Sequence, residues 1–170
     1  MTALFPPFVV VCVLLIVAGV AKVRSPSAAR AVLLEARLPV PRVAVRLLGI
    51  AEVVIGTGAA VRPLPGTAAL VAVAYGAFFT FVLWIRPARC GCFGAADTGG
   101  GLTHMVLNLA ACSVAVTAGL VPPPGVGSIL RQGVVVAVLL GVGLAACTFA
   151  VSLMFTAFPA AWRAYGGGKA

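Results

Sequence analysis

Polar side chains are so sparse along this chain that they read as punctuation between apolar runs. A helix that crosses a bilayer core needs about 20 consecutive apolar residues, with roughly 17–25 tolerated. Five runs meet that length: Leu4 to Ala21, Val43 to Val61, Thr67 to Ile85, Thr103 to Val121 and Gln132 to Phe158. The last is the longest and spans with a tilt. The first carries Pro6 and Pro7 near its start, where a helix tolerates proline. The breaks are equally legible. Arg62-Pro63-Leu64-Pro65-Gly66 predicts a short turn, and Val121-Pro122-Pro123-Pro124-Gly125 a stiff extended connector. Ala95 to Gly101 ends in three consecutive glycines and reads as a flexible loop. Ser25-Pro26 predicts a helix start, Ser as N-cap and Pro at the first helical position. Arg30 and Arg37 then recur on one face of the segment to Leu38. That spacing predicts a short helix on the membrane surface with its arginines toward lipid headgroups; a plain basic loop is the other reading. The pattern thus predicts an all-α, polytopic transmembrane helix bundle forming a single integral membrane domain over residues 1–170.

Composition agrees and closes off alternatives. The chain is 62 % hydrophobic and only 9 % charged, against roughly 25 % charged in an ordinary soluble domain. It has too few polar side chains to cover a water-soluble globule, and it is too hydrophobic for a disordered chain. The first run lacks a basic n-region and a strong small-residue cleavage site, so it reads as a span rather than a signal peptide. The net charge of +9 would suggest nucleic acid in a soluble protein. Here the basic residues sort by membrane side. With the N-terminus outside, Lys22, Arg24, Arg30, Arg37, Arg42, Arg46, Arg86, Arg89, Arg163 and Lys169 all fall at the cytoplasmic side, leaving Arg62 and Arg131 outside. Trp84, Trp162 and Tyr165 also fall at cytoplasmic ends, as an aromatic belt requires. The expected orientation is therefore N-terminus outside and C-terminus cytoplasmic, with the lipid bilayer rather than nucleic acid as partner.

No connection exceeds about twenty residues, so any chemistry must use spans and short loops. There is no phosphate-binding loop, no zinc-protease helix and no framed Ser/His/Asp set, and a single His excludes a three-His metal site. The sequence thus points to no cofactor and no resident metal. What stands out is Arg89-Cys90-Gly91-Cys92-Phe93-Gly94, just after the third run. The glycine permits the tight geometry that brings neighbouring sulfurs together. A disulfide across one residue closes a small, strained ring, which is the labile kind, and it constrains too little chain to act as a staple. Arg86 and Arg89 favour the thiolate, the attacking form. A functional dithiol at Cys90 and Cys92 is the leading reading. A metal-binding pair, which needs further ligands, and two incidental cysteines are the others. Cys12, Cys112 and Cys147 fall mid-span, where cysteine packs as a small hydrophobe; a second exchanging thiol pair is the alternative.

Charge inside a span is the second signal. Glu52 lies about nine residues, roughly 13 Å, into the second run, where an ionisable group is costly and faces a partner. Arg46 is not on its face, so Glu52 pairs across helices or stays protonated. Lys22, closing the first run, either reaches inward or snorkels to the headgroups. His104 and Asn108 open the fourth run, either facing the dithiol loop, where His would accept a thiol proton, or anchoring the interface. Small residues every four positions, Ala68, Ala72, Gly76 and Thr80 in one run and Gly133, Ala137, Gly141 and Ala145 in another, predict close helix approach.

Taken together, Gly19-Val20-Ala21-Lys22 with a basic Ser-Pro connection, Gly49-Ile50-Ala51-Glu52 through Gly56, Cys90-Gly91-Cys92-Phe93-Gly94, and His104 with Asn108 resemble the MauE branch of the MauE/DoxX family of redox-associated membrane proteins. The resemblance covers about Leu4 to Val121 and implies a four-helix DoxX-like core, to which the fifth span is added. It implies a bacterial cell-membrane protein of methylamine utilisation that assists maturation of the disulfide-rich small subunit of methylamine dehydrogenase. A thioredoxin-like partner and an exported, disulfide-rich substrate come with it. Cys90 and Cys92 would then be the thiol–disulfide pair of an accessory component, with Glu52, Lys22, His104, Asn108 and Arg89 in support. The charge count puts this pair on the cytoplasmic side although the substrate is exported. Either the dithiol relays reducing equivalents across the membrane or the orientation is reversed. A soft-metal carrier using Cys90, Cys92, His104 and Glu52, and a non-catalytic assembly factor, are the rival functions.

Overall fold

The computed structural model describes residues 2–85 and 102–156. Among these, a 3-10 turn at Thr2–Leu4 leads into seven α-helices: α1 (Phe5–Arg24), α2 (Pro26–Glu35), α3 (Arg42–Val61), α4 (Pro65–Ile85), α5 (Leu102–Leu120), α6 (Val126–Leu130) and α7 (Val134–Thr156). The all-α bundle read from the hydrophobic pattern is what forms. Helices α1, α3, α4 and α7 are long and apolar enough to cross a membrane, and α5 carries the shorter apolar stretch His104–Leu120.

The bundle is built from two tight pairs, α1 on α3 and α4 on α5. Lipid tails are as apolar as leucine, so helices in a bilayer gain little from hydrophobicity and associate where small residues allow close packing. Gly19 and Gly49 do this in the first pair. A Cβ placed on Gly19 would lie 2.5 Å from the Gly49 carbonyl oxygen, and one on Gly49 2.6 Å from that of Gly19. Two turns along, a Cβ on Gly56 would lie 2.8 Å from the Cys12 carbonyl oxygen. The second pair closes through Ala68 and Ala72 against Ala111, Ala115 and Ala118, and the Cys112 thiol donates to the Ala72 carbonyl at 3.5 Å. The small-residue face read for this run is therefore an interface. Tyr75 ties the pairs together, donating from its hydroxyl to the Val11 carbonyl at 2.8 Å.

Helix ends follow local chemistry. Pro6 and Pro7 occupy the first turn of α1, where their missing N–H groups cost nothing. In the α3–α4 turn the Thr67 hydroxyl accepts the Leu64 N–H at 3.0 Å, satisfying a donor that the helix start leaves free. The Pro122–Pro124 connector is non-helical, as its prolines dictate, and leads into α6, whose Ile129 packs with Phe5 and Val9.

Three expectations are corrected. Ser25 sits at the N-cap of α2 but makes no side-chain cap bond there. Arg30 and Arg37 do not share a helix face toward headgroups. The helix stops at Glu35, Arg37 adopts a left-handed φ of 59°, and Arg30 Nε donates to the Val40 carbonyl at 3.2 Å. A chain that must double back into α3 ends the helix early, and the Arg30 side chain secures that return. Finally, the small-residue stripe of the last run brings no helices together among the described residues. Gly133, Gly141 and Ala145 are exposed, and a methyl on either glycine meets nothing within 4 Å. Helix α7 instead meets the Phe5, Val9 and Ile129 cluster through the larger Leu140 and Leu144. Gly133 serves the turn before α7, at φ +116°, a conformation glycine adopts without strain.

The close α1–α3 crossing makes a direct prediction. Gly49→Ala forces two backbones apart and lowers stability by about 1–3 kcal/mol, the usual cost of overpacking. Gly58→Ala on the same helix, where a methyl meets nothing within 4 Å, leaves the melting temperature unchanged or slightly raised. Thermal melts of the two variants in detergent check the contrast.

Candidate functional site

Lys22 and Glu52 form an ion pair inside the bundle, with Lys22 Nζ 2.8 Å from Glu52 Oε2. Both residues are buried, 4 % and 2 % exposed. Their meeting follows from helix geometry. Gly19 and Gly49 touch, and α1 and α3 run antiparallel. Lys22 lies one turn beyond its glycine in one direction and Glu52 one turn beyond its own in the other. At 1.5 Å rise per residue the two Cα positions are offset by roughly 9 Å along the helix axes. Side chains on a helix lean toward its N-terminus, so in this antiparallel pair the two lean toward each other. The long lysine stem covers the remaining distance. Of the two readings open for Lys22, the inward one holds, and Glu52 pairs across helices.

The ammonium also sits over the ring of Phe78 on α4, 4.7 Å from its centroid, within cation–π range. Lys22 thus contacts both halves of the bundle. Glu52 Oε1 is buried and accepts no hydrogen bond among the described residues. The pair lines a cavity of about 290 Å³ between α3 and α4, with Phe78 and Phe81 on one side and Val45 and Ile55 on the other. Ala29, Val32 and Leu33 of α2 complete it. The buried face of α2 therefore covers this cavity, which gives the connecting helix a role beyond that of a surface helix. Phe78 and Phe81 were not singled out in the sequence. The helical spacing of Ala74, Phe78 and Phe81 placed them on a face of α4 distinct from the small-residue stripe, and that was the available signal.

Of the other candidates, His104 and Asn108 are both buried in the first turns of α5, 0 % and 5 % exposed. Among the described residues no group of three or more His, Cys, Asp or Glu is arranged to hold a metal ion. Cys12 is buried, Cys112 half-buried and Cys147 exposed, and all three are free thiols. Cys90, Cys92 and Arg89 lie outside the described residues.

The fold and the buried pair define an integral membrane protein, an all-α bundle whose first two long helices are joined by the buried Lys22–Glu52 ion pair. The family model described as methylamine utilisation protein MauE matches residues 2–122, and the chain belongs to that family. It is a membrane accessory protein of methylamine utilisation. The match takes in α1 to α5, both glycines, the ion pair and the Cys-Gly-Cys segment, and stops in the proline connector before α6. No curated protein and no solved structure matches.

Removing one partner of a buried pair strands the other charge, which costs about 3–5 kcal/mol, whereas replacing both with apolar residues is often neutral. Glu52→Leu and Lys22→Met should each destabilise the protein by that amount, and the double variant should recover most of the loss. Equilibrium denaturation in mixed micelles measures the cycle.

Proposed function

We propose that this protein supports thiol–disulfide chemistry in the cell membrane, exchanging electrons with a thioredoxin-like partner through Cys90 and Cys92. The observation that carries the reading is Cys90-Gly91-Cys92 between α4 and α5. Helix α4 ends at Ile85 and α5 starts at Leu102, so the segment belongs to the connection between these two helices. In this reading a short dithiol in that connection serves a soluble partner without a catalytic domain of its own.

In the exchange, the Cys90 thiolate, favoured by the adjacent Arg89, attacks one sulfur of the partner's disulfide. A mixed disulfide forms and the partner's other sulfur leaves as a thiolate. Cys92 then attacks Cys90 sulfur, which releases the reduced partner and leaves the Cys90–Cys92 disulfide. Two electrons and two protons pass to the partner, and the reverse sequence returns them. The strain of the small ring makes its disulfide a ready oxidant in that reverse direction. A disulfide-rich exported protein is the final substrate in this reading, reached by a relay of reducing equivalents across the membrane. The basic residues clustered at the α1 end and after α4 support an orientation with the N-terminus outside.

Cys92→Ser should trap a mixed disulfide with the partner on non-reducing gels, and Cys90→Ser should not. Membrane-impermeant maleimide should label the wild-type pair only after reduction, and in inverted vesicles rather than intact cells. Absence of any trapped species together with redox-independent labelling contradicts the exchange; labelling from outside reverses the orientation.

A further inference from the structure

The cavity between the two helix pairs has the construction of a ligand site. Helix α3 packs chiefly on α1, and α4 on α5, so the consecutive α3 and α4 leave a gap between them. The resulting cavity of about 290 Å³ is roughly twice the volume of about 150 Å³ that admits benzene in an engineered core. Ala51 and Ala77 line it and are exposed, so it opens sideways toward the lipid-facing surface of the bundle. Its lining is apolar except for Lys22 and Glu52. Within that lining Glu52 Oε1 is buried and unpartnered among the described residues, a state that proteins rarely leave uncompensated.

We propose that this cavity binds a membrane-soluble, uncharged phenol-class compound whose hydroxyl donates to Glu52 Oε1 while its ring lies against Phe78 and Phe81. A carboxylate oxygen can only accept, so its partner must be a donor. An O–H donated to a carboxylate makes a short, strong bond, and an acidic phenol hydroxyl serves better than an alkanol. Phe78 and Phe81, one turn apart on α4, offer the aromatic contact. A cationic ligand does not fit, because the Lys22 ammonium already holds the cation's position, 2.8 Å from Glu52 Oε2 and 4.7 Å from the Phe78 centroid. A second positive charge would enter an apolar cavity without a counter-ion. The site is independent of Cys90 and Cys92.

The test uses the full chain in lipid nanodiscs, with 2-naphthol fluorescence as the probe and 2-methoxynaphthalene, which has the same rings but no O–H donor, as comparison. Saturable 2-naphthol binding at least about tenfold tighter than that of the ether is expected, the size of one hydrogen bond to a charged group. Ala77→Phe, which fills the cavity mouth from an exposed position, should abolish binding while the melting temperature stays near wild type. In Lys22→Met/Glu52→Leu the preference for the hydroxyl should vanish. Cys90→Ser/Cys92→Ser should bind as wild type does, which separates this site from the thiol reading. Non-saturable uptake, equal affinity for alcohol and ether in the wild type, undiminished binding by folded Ala77→Phe, or displacement by methylammonium would overturn the proposal.

Discussion

A lysine and a glutamate buried between helices in an apolar bundle cannot be left apart, and most of this structure is arranged around bringing Lys22 and Glu52 together. The carboxylate and the ammonium lose their hydration when the bundle forms, and their mutual contact, with the Phe78 ring beside the ammonium, offsets that loss. For the contact to form, α1 and α3 must cross at one register, close enough for a lysine stem to bridge the offset. The glycine-to-glycine crossing supplies the closeness, and the antiparallel lean of the side chains supplies the direction. The charges then penalise any slip of one helix along the other. Van der Waals packing of small residues alone would allow several registers, and the ion pair selects among them.

The same pair shapes what lies beyond it. Because Lys22 also rests on Phe78, the α1–α3 pair is joined to α4 at this level, with Tyr75 making a second link to α1. Between these links the two helix pairs do not close fully, and α2 folds over the space that remains. The proposed function would therefore be divided between two parts of the chain. The charge-registered bundle forms one part, and the cysteine segment between α4 and α5 is the part proposed to exchange electrons. That division suits a protein whose connections are too short to hold a catalytic domain.

Much of this was legible in the sequence, for reasons that can be named. Apolar runs of about 20 residues bounded by proline clusters are the length of a spanning helix and roughly twice that of a spanning strand, and a helix satisfies every backbone group within its own segment. Glu52 was conspicuous because intramembrane carboxylates are costly. The Gly-x-Ala-Lys and Gly-x-Ala-Glu strings already contained the crossing, with each glycine one turn from its charge. What stayed hidden depended on tertiary contact. Lys22 near a helix end is equally suited to snorkelling, and only the position of α3 decides. Arg37 looked periodic with Arg30 until the chain's return to α3 ended α2 at Glu35. The Gly133–Ala145 stripe has the spacing of an interface, but α7 packs against Phe5 and Val9 of α1 through Leu140 and Leu144, and Gly133, Gly141 and Ala145 stay exposed among the described residues. Periodicity marks a face as capable of close packing and does not say which faces find partners.

Because the chain contains only two lysines, Lys22 and Lys169, and two glutamates, Glu35 and Glu52, the central contact can be observed selectively. Protein labelled with 15N at lysine Nζ and 13C at the glutamate carboxyl, reconstituted in lipid, is suited to solid-state NMR dipolar recoupling. The account predicts strong dephasing of one lysine signal, of the strength expected for an ammonium 2.8 Å from a carboxylate oxygen, and its loss in Glu52→Gln expressed without label at that site. Two lysine signals that both behave as free, hydrated ammonium groups, with no recoupling to any glutamate, would contradict it.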